Sequence, residues 1–455
     1  MATAVIDTLM GRFAEAGEAP ALAYQGELKS FSWVVQEVED ATRWLIEAGV
    51  GQGQTVILNA DYAPKTVAIL LALTRLRAII VPLLPATRKT LVRVLPLVEA
   101  EHEIVVDPSG SIAMHALPAS EKNAPLIADV RARKAAGLIL FTSGSTGEPK
   151  GVVHDFSLLL EKFLTRRPAL VTLNFLMFDH WGGLNTLLHG LSNLSLVVLP
   201  ENRRPDYVCG LIEAHGVELL PATPTFLNML LLSKAWLNRD FSTLRIISYG
   251  AEPMPESTLR QLGAAFPTVE LRQTYGLIEL GVLRAKSRDD GSLWVRLGGA
   301  GFDIRVVDDE LQIRSPSAML GYLNAPSPFT EDGYFMTGDK VEVDGDYFRI
   351  LGRASDLINI GGDKVYPAEV ESVLLTLDNI KDAAVYGESH PLMGKIVCAD
   401  IVLLNPEPAA EARVRIKKSC QDKIDRFKIP VKINFPEESL ASDRLKKRRL
   451  KPPPA

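Results

Sequence analysis

Short apolar runs alternate with stretches whose apolar positions recur at helical spacing through the first half of the chain. Residues 34–48 carry the helical period and are closed by Gly49 and Gly51, the usual punctuation of a helix end. Thr55–Leu58 reads as a strand, Tyr62 to Arg77 as a helix and Ala78–Pro82 as the next strand. Glu103–Asp107 and Gly137–Phe141 add strands, and Val152–His154 another. The segment 108–135 is polar and Ala-rich with weak periodicity and bridges to a loop at 142–151. Beyond that loop Leu173–Met177, Ser195–Leu199, Val217–Leu220 and Leu244–Ser248 read as strands, with helical stretches near 205–214, 224–233 and 255–265. A β-α-β rhythm of this kind predicts a largely parallel sheet covered by helices. From Ile304 to Arg314, and again from Lys340 to Leu351 around the turn Asp344-Gly345-Asp346, the pattern changes to short strands and turns. Past Gly352-Arg353 the chain begins afresh: a helix near 367–377, strands at 383–386 and 396–403, a helix near 409–426 and a strand at 431–435. The fold class expected is α/β: a large N-terminal domain of mixed, largely parallel sheets covered by helices, with a β-rich subdomain, followed by a small α+β C-terminal domain.

The chain has 455 residues, 47% hydrophobic and 23% charged, which is ordinary for a soluble globular protein. A net charge of -5 gives no reason to expect a nucleic-acid partner. Cys209, Cys398 and Cys420 are widely spaced and odd in number, against a disulfide framework and in keeping with a reducing cytoplasm. The N-terminus lacks the basic-then-apolar pattern of a signal peptide, and Val67 to Leu73 is too short to span a bilayer and reads as part of a buried helix.

The loop between the strands at 137–141 and 152–154 carries the chemistry. It runs Thr142-Ser143-Gly144-Ser145-Thr146-Gly147-Glu148-Pro149-Lys150-Gly151. Its glycines allow backbone N–H groups to turn inward as an anion-binding nest. The hydroxyls of Thr142, Ser143, Ser145 and Thr146 add donors, and Lys150 adds a mobile point charge, so the loop suits a polyphosphate. It lacks Walker A spacing. It resembles the phosphate loop of the acyl-adenylate-forming enzymes, a superfamily of acyl- and aryl-CoA ligases, peptide-synthetase adenylation domains and beetle luciferases. Three further stretches match in order: Gln273–Glu279, Tyr334–Asp339, and Gly352-Arg353 through Gly361-Gly362-Asp363-Lys364 to Glu371. The resemblance covers nearly the whole chain.

The resemblance implies an acid–thiol ligase that joins a carboxylic acid to AMP from ATP, with Mg2+, and passes the acyl group to CoA. A carrier-protein phosphopantetheine or an amine stands as the alternative acceptor, and a binding homologue with weakened catalysis as a third reading. The loop from Thr142 to Lys150, including Gly144 and Gly147, would hold the β- and γ-phosphates. Glu279 would be the Mg2+ ligand. Tyr275, between Thr274 and Gly276, would stack on adenine; Gly250, Ala251 and Glu252 would line the adenine and acyl pocket. Asp339 would take the ribose hydroxyls and Arg353 the ribose or phosphate. A hinge at 353–356 would join an adenylation domain over 1–352 to a mobile domain over 357–455, and Gly362 with Lys364 would face the pantetheine passage. His180, before Gly182-Gly183, would border the acid pocket; Asp179, after Phe178, leaves an amino-acid substrate in play, but the Gly-Gly register favours a fatty or aromatic acid. Two positions depart from the pattern. Ile278 stands where a Thr or Ser hydroxyl is usual. The C-terminal Ser/Thr-Gly-Lys becomes Ser442-Asp443-Arg444-Leu445-Lys446, which leaves Lys446, the preferred register, or Arg444 as the catalytic cation.

Overall fold

The computed structural model describes residues 2–118, 123–142, 148–289, 291–299, 301–390, 394–437, 439–442 and 445–449. Two sheets of seven strands share a helical layer. The first has the order Glu270–Gln273, Ile246–Tyr249, Leu219–Ala222, Thr172–Leu173, Val197–Val198, Pro20–Tyr24, Glu27–Ser30, and is parallel up to its last, antiparallel pair. The second is parallel at its centre, through His102–Val106, Thr55–Asn59, Ile79–Leu83 and Gly137–Thr142. Antiparallel strands close both its edges: Ile112–Ala116 on one side, Lys150–Asp155 and then Gly321–Tyr322 on the other.

The apolar run Val67 to Leu73 lies in the helix Pro64–Arg75, with every one of those side chains at most 2% exposed. Pro64 starts that helix where its missing N–H costs nothing. Burying each large aliphatic side chain there contributes about 1.5–3 kcal/mol, so this helix anchors the core between the sheets.

The β-rich part is a third, antiparallel sheet, ordered Tyr275–Leu277, Gly281–Ser287, Trp294–Gly298, Tyr347–Arg353, Phe335–Asp344, Glu310–Arg314, Asp303–Val307. Its Phe335–Asp344/Tyr347–Arg353 hairpin turns on Gly345, whose φ is +58°. The fourth sheet and its own apolar core draw only on residues from Ile358 onward.

Several elements differ from their sequence patterns. The expected strand at 173–177 is only Thr172–Leu173. The backbone then leaves the sheet, and His180 caps the helix Trp181–Ser192. The strand expected at 195–199 shortens to Val197–Val198. The helices at 367 and 409 stop at Leu374 and Cys420. Ala2–Ala16 forms a helix that buries Val5, Ile6, Leu9, Met10 and Phe13 at helical spacing, and Pro125–Arg133 forms another inside the bridge at 108–135. All three cysteines are buried and free. Among the described residues no helix is long and apolar enough to cross a membrane.

Candidate active site

The signature segments converge where strands end. Tyr249, Gln273 and Ala222 close three parallel strands of the first sheet at their C-terminal ends, the edge at which open α/β sheets bind ligands. Gly250 follows Tyr249 and packs on Thr274; a Cβ there would sit 2.5 Å from Thr274 Oγ1 and 2.7 Å from its carbonyl oxygen. Thr274 Oγ1 donates to the Tyr249 carbonyl at 3.0 Å, which ties the two strand ends together. Ala251 has φ +69°. Glu252, next along, accepts from the Thr225 N–H at 2.8 Å.

Asp339 lies on the Phe335–Asp344 strand and is 6% exposed. Tyr275 Oη donates to its Oδ2 at 2.6 Å, and Arg353 Nε lies 2.9 Å from its Oδ1. Arg353 also donates to the Thr337 carbonyl at 2.7 Å, so its fork is fixed twice. Burial raises the Asp339 carboxyl from its ordinary value, and Arg353 and Tyr275 oppose that rise. Tyr275 is itself almost wholly buried and part of the core. Its hydroxyl orients Asp339.

Lys150, Tyr322 and Glu279 form a second group. Lys150 Nζ lies 5.1 Å from the centre of the Tyr322 ring, and Tyr322 Oη donates to Glu279 Oε1 at 2.8 Å. The sheet explains their meeting: the strand Lys150–Asp155 pairs with Gly321–Tyr322. Asn324 fixes the end of the loop, accepting from the Gly151 N–H at 3.0 Å and donating to the Pro149 carbonyl at 2.9 Å. Tyr322 and Asn324 went unread in the sequence; the only local signal was a Tyr and an Asn beside a glycine in a turn-rich stretch. Ser143, Gly144, Ser145, Thr146 and Gly147 lie outside the described residues. One carboxylate, Glu279, held by a tyrosine hydroxyl beside a phosphate-loop lysine, fits Mg2+, which takes one or two carboxylates together with substrate phosphates and water. Among the described residues there is no cluster of three acidic, His or Cys side chains that would hold a metal unaided.

Ile278 is buried in the main core, and its carbonyl accepts from His154 Nε2 at 2.8 Å. Burial holds His154 down at about 4, so its ring is neutral with the proton on Nε2. Leu184, Leu187 and Leu188 are also core residues. His180 caps its helix: Nδ1 accepts from the Gly182 N–H at 3.1 Å. Asp179 beside it is 2% exposed. Gly183 packs against the incoming loop, and a Cβ there would sit 2.1 Å from the Met177 carbonyl oxygen.

The C-terminal segment reaches this edge as well. The Ser442 N–H donates to the Lys446 carbonyl and Leu445 has φ +52°, the geometry of a tight hairpin. Thr223 Oγ1 donates to the Leu445 carbonyl at 2.6 Å, and the Lys447 N–H donates to Glu252 at 3.1 Å. Lys447 pairs with Asp382 at 3.1 Å, and Arg449 pairs with Glu371 through two bonds of 2.9 Å. Arg444 lies outside the described residues. The turn at Gly361-Gly362 is exposed, and Lys364 nears Asp309 at 3.8 Å, so these residues do not join the cluster around Glu279 and Asp339.

A family model for AMP-binding enzymes matches residues 11–335, and one for the AMP-binding enzyme C-terminal domain matches 369–447. A 2-succinylbenzoate–CoA ligase of Bacillus pumilus is 28% identical and aligns over 95% of each chain. A feruloyl-CoA synthase of Amycolatopsis is 27% identical over 92% of each. The structure of an anthranilate CoA ligase in complex with anthranoyl-AMP superposes with a TM-score of 0.81 at 21% identity, covering 98% of this chain and 95% of that one. The chain belongs to the AMP-binding enzyme family and is an AMP-forming acid–thiol ligase that uses ATP and CoA.

Proposed function

We propose that the acid is aromatic and lacks an α-amine, and that the structure holds the arrangement for the first of the two steps. The observation that carries the second point is the docked hairpin. The segment around Lys446 sits on the strand-end edge beside Thr223 and Glu252, while the Gly361-Gly362 turn is exposed.

In the first step an acid oxygen attacks the α-phosphorus of ATP and the bond to pyrophosphate breaks. Lys150 and the loop from Thr142 onward neutralise the outer phosphates. Asp339, held by Tyr275 and Arg353, takes the ribose hydroxyls. Glu279 would hold Mg2+, which would supply charge stabilisation to the phosphates. Lys446, or Arg444, brings a cation to the reacting phosphate. In the second step a CoA sulfur attacks the acyl carbon and AMP leaves. For that step the segment from 357 onward rotates about 353–356 and brings Gly362 and Lys364 to the site. The Gly182-Gly183 register of the resemblance favours His180 over Asp179 at the acid position, which supports a non-amino acid. Both named relatives carry aryl acids in their names.

Acid-dependent ATP–pyrophosphate exchange across benzoates, cinnamates, medium-chain fatty acids and amino acids tests the acid, followed by acceptor assays with CoA, a carrier protein and simple amines. Exchange with aryl acids and thioester formation with free CoA are expected. Exchange led by an amino acid, or acyl transfer to a carrier or an amine but not to CoA, would reject the reading.

A further inference from the structure

A second concave site lies at the opposite ends of the same strands. An open cleft of ≈ 660 Å³ is lined at the N-terminal ends of the first sheet by Arg167, His189, Arg245, Glu270 and Arg272, among others. Ile246 starts the strand that ends at Tyr249, so the cleft is about 10 Å along that strand from the active-site edge. The helix Trp181–Ser192 spans the same gap: His180 caps its first turn and His189 sits in its last, about 12 Å further on.

The charges of this cleft do not balance. Arg245 is matched by Glu218 at 3.4 Å, and Arg272 by Glu270 through bonds of 2.9 and 2.8 Å. Arg167, the third guanidinium of the lining, has no carboxylate partner among the described residues. The cations also feel one another. Burial and then the charge of Arg284 lower the basicity of Arg167. Lys162 lies over the rings of Phe163 and Trp181. Burial first, then Arg167, Lys162 and Arg272, hold His189 down at about 4. Like charges gathered at a concave surface raise the energy of the empty site, and an anion among them relieves it. An unmatched guanidinium fork suits phosphate oxygens, which it can bind in pairs. The volume lies within the range of small-molecule sites.

We propose that this cleft binds a small polyanion of the phosphate class, seated between Arg167 and His189. The site is separate from the nucleotide site and does not depend on the catalytic assignments above. Pyrophosphate released in the first step and the phosphates of a nucleoside coenzyme share this chemistry.

The test follows the His189 ring by NMR of the full-length protein, with its resonance assigned by its loss in His189→Gln. Inorganic phosphate, pyrophosphate and a nucleoside bisphosphate are the probes. At least one should shift the resonance saturably and raise the His189 midpoint by about one unit or more, the size expected of an anion nearby. The groups facing His189 are Arg167, Lys162, Arg272 and the Glu270 that pairs with Arg272. Arg167→Gln with Arg284→Gln should weaken the tightest probe at least tenfold while the melting temperature and adenylation rate stay unchanged. Tighter pyrophosphate marks a free anion as the occupant, and a tighter nucleoside bisphosphate marks a coenzyme-borne phosphate. No saturable shift with any probe, the same shift with chloride at matched ionic strength, or undiminished binding in the double variant would overturn the proposal.

Discussion

At the scale of single residues the site works by fixing carboxylates. Asp339 is the clearest case, gripped on one oxygen by Tyr275 and on the other by Arg353. A hydrogen bond to a charged group is worth about 1.5–3 kcal/mol, so Asp339→Ala should cost roughly tenfold to a hundredfold in kcat/KM for adenylation with the fold retained. Tyr275→Phe should produce a smaller loss of the same kind, since it frees the carboxylate without removing it. Pyrophosphate-exchange kinetics on both variants decide it: normal kinetics in a folded Asp339→Ala protein would remove Asp339 from the nucleotide site. His154 gives a pH prediction. Its folded midpoint near 4 lies below the ordinary value of about 6.5, so the unfolded chain binds the proton first. The stability tied to neutral His154 is therefore fully present above about pH 6.5 and is lost as pH falls towards 4, by about 3 kcal/mol in all. Urea midpoints should fall more steeply over that window in the wild type than in His154→Gln, and parallel slopes would contradict it.

At the scale of elements, what the sequence made legible was whatever repeats. The buried run in Pro64–Arg75 stood out because every face is apolar, and the hairpin around Gly345 because of its turn residues; the strands Gly281–Ser287 and Trp294–Gly298 went unread. The strand at 173–177 misled because Leu173, Phe175, Leu176 and Met177 are apolar for another reason. Phe175 packs on Phe226, and the loop must run close over the helix that starts at Trp181. Signature residues were legible as types and not as partners. Tyr275 reads as an adenine-stacking ring, yet its hydroxyl is spent on Asp339. Tyr322 was invisible because it reaches Glu279 only through pairing between distant strands. Ile278 shows the same limit. As a gap in a motif it invites Ile278→Thr as a restoring change, but its side chain is in the core. Placing a hydroxyl there without a partner costs about 1–3 kcal/mol, so Ile278→Thr should lower the melting temperature whatever it does to the rate. The loop before His180 is equally constrained. Gly183→Ala would drive a methyl into the Met177 carbonyl, and the loop would have to move. KM for the acid should rise several-fold in that variant while ATP binding holds; unchanged acid kinetics would take His180 away from the acid pocket.

At the scale of the whole molecule the question is how one small domain serves two reactions. The C-terminal hairpin touches the strand-end edge through two contacts, Thr223 Oγ1 to the Leu445 carbonyl and the Lys447 N–H to Glu252. Leu445 also packs on the apolar core of the first sheet, whereas Lys447 and Arg449 turn to Asp382 and Glu371 of the small domain. Burial alone would raise the Glu371 carboxyl, but Arg449 and Lys447 outweigh it and hold it below its ordinary range. The hairpin is thus held to the small domain by two ion pairs and to the large one by two hydrogen bonds and the packing of Leu445. Breaking a buried pair from one side costs about 3–5 kcal/mol, so Glu371→Gln should destabilise the small domain and slow both steps together. Lys446→Ala should act differently. It removes a cation from the tip while leaving Arg449–Glu371 and Lys447–Asp382 in place, so adenylation should collapse and transfer from a supplied acyl-adenylate to CoA should survive. Gly362→Leu should show the reverse, because its bulk stands in the way of the pantetheine arm only after rotation. One mobile element that stabilises two different transition states predicts this opposition. Equal losses in both steps for Lys446→Ala would reject its role. A selective adenylation defect in Arg444→Ala, with Lys446→Ala unimpaired, would move the catalytic cation to Arg444.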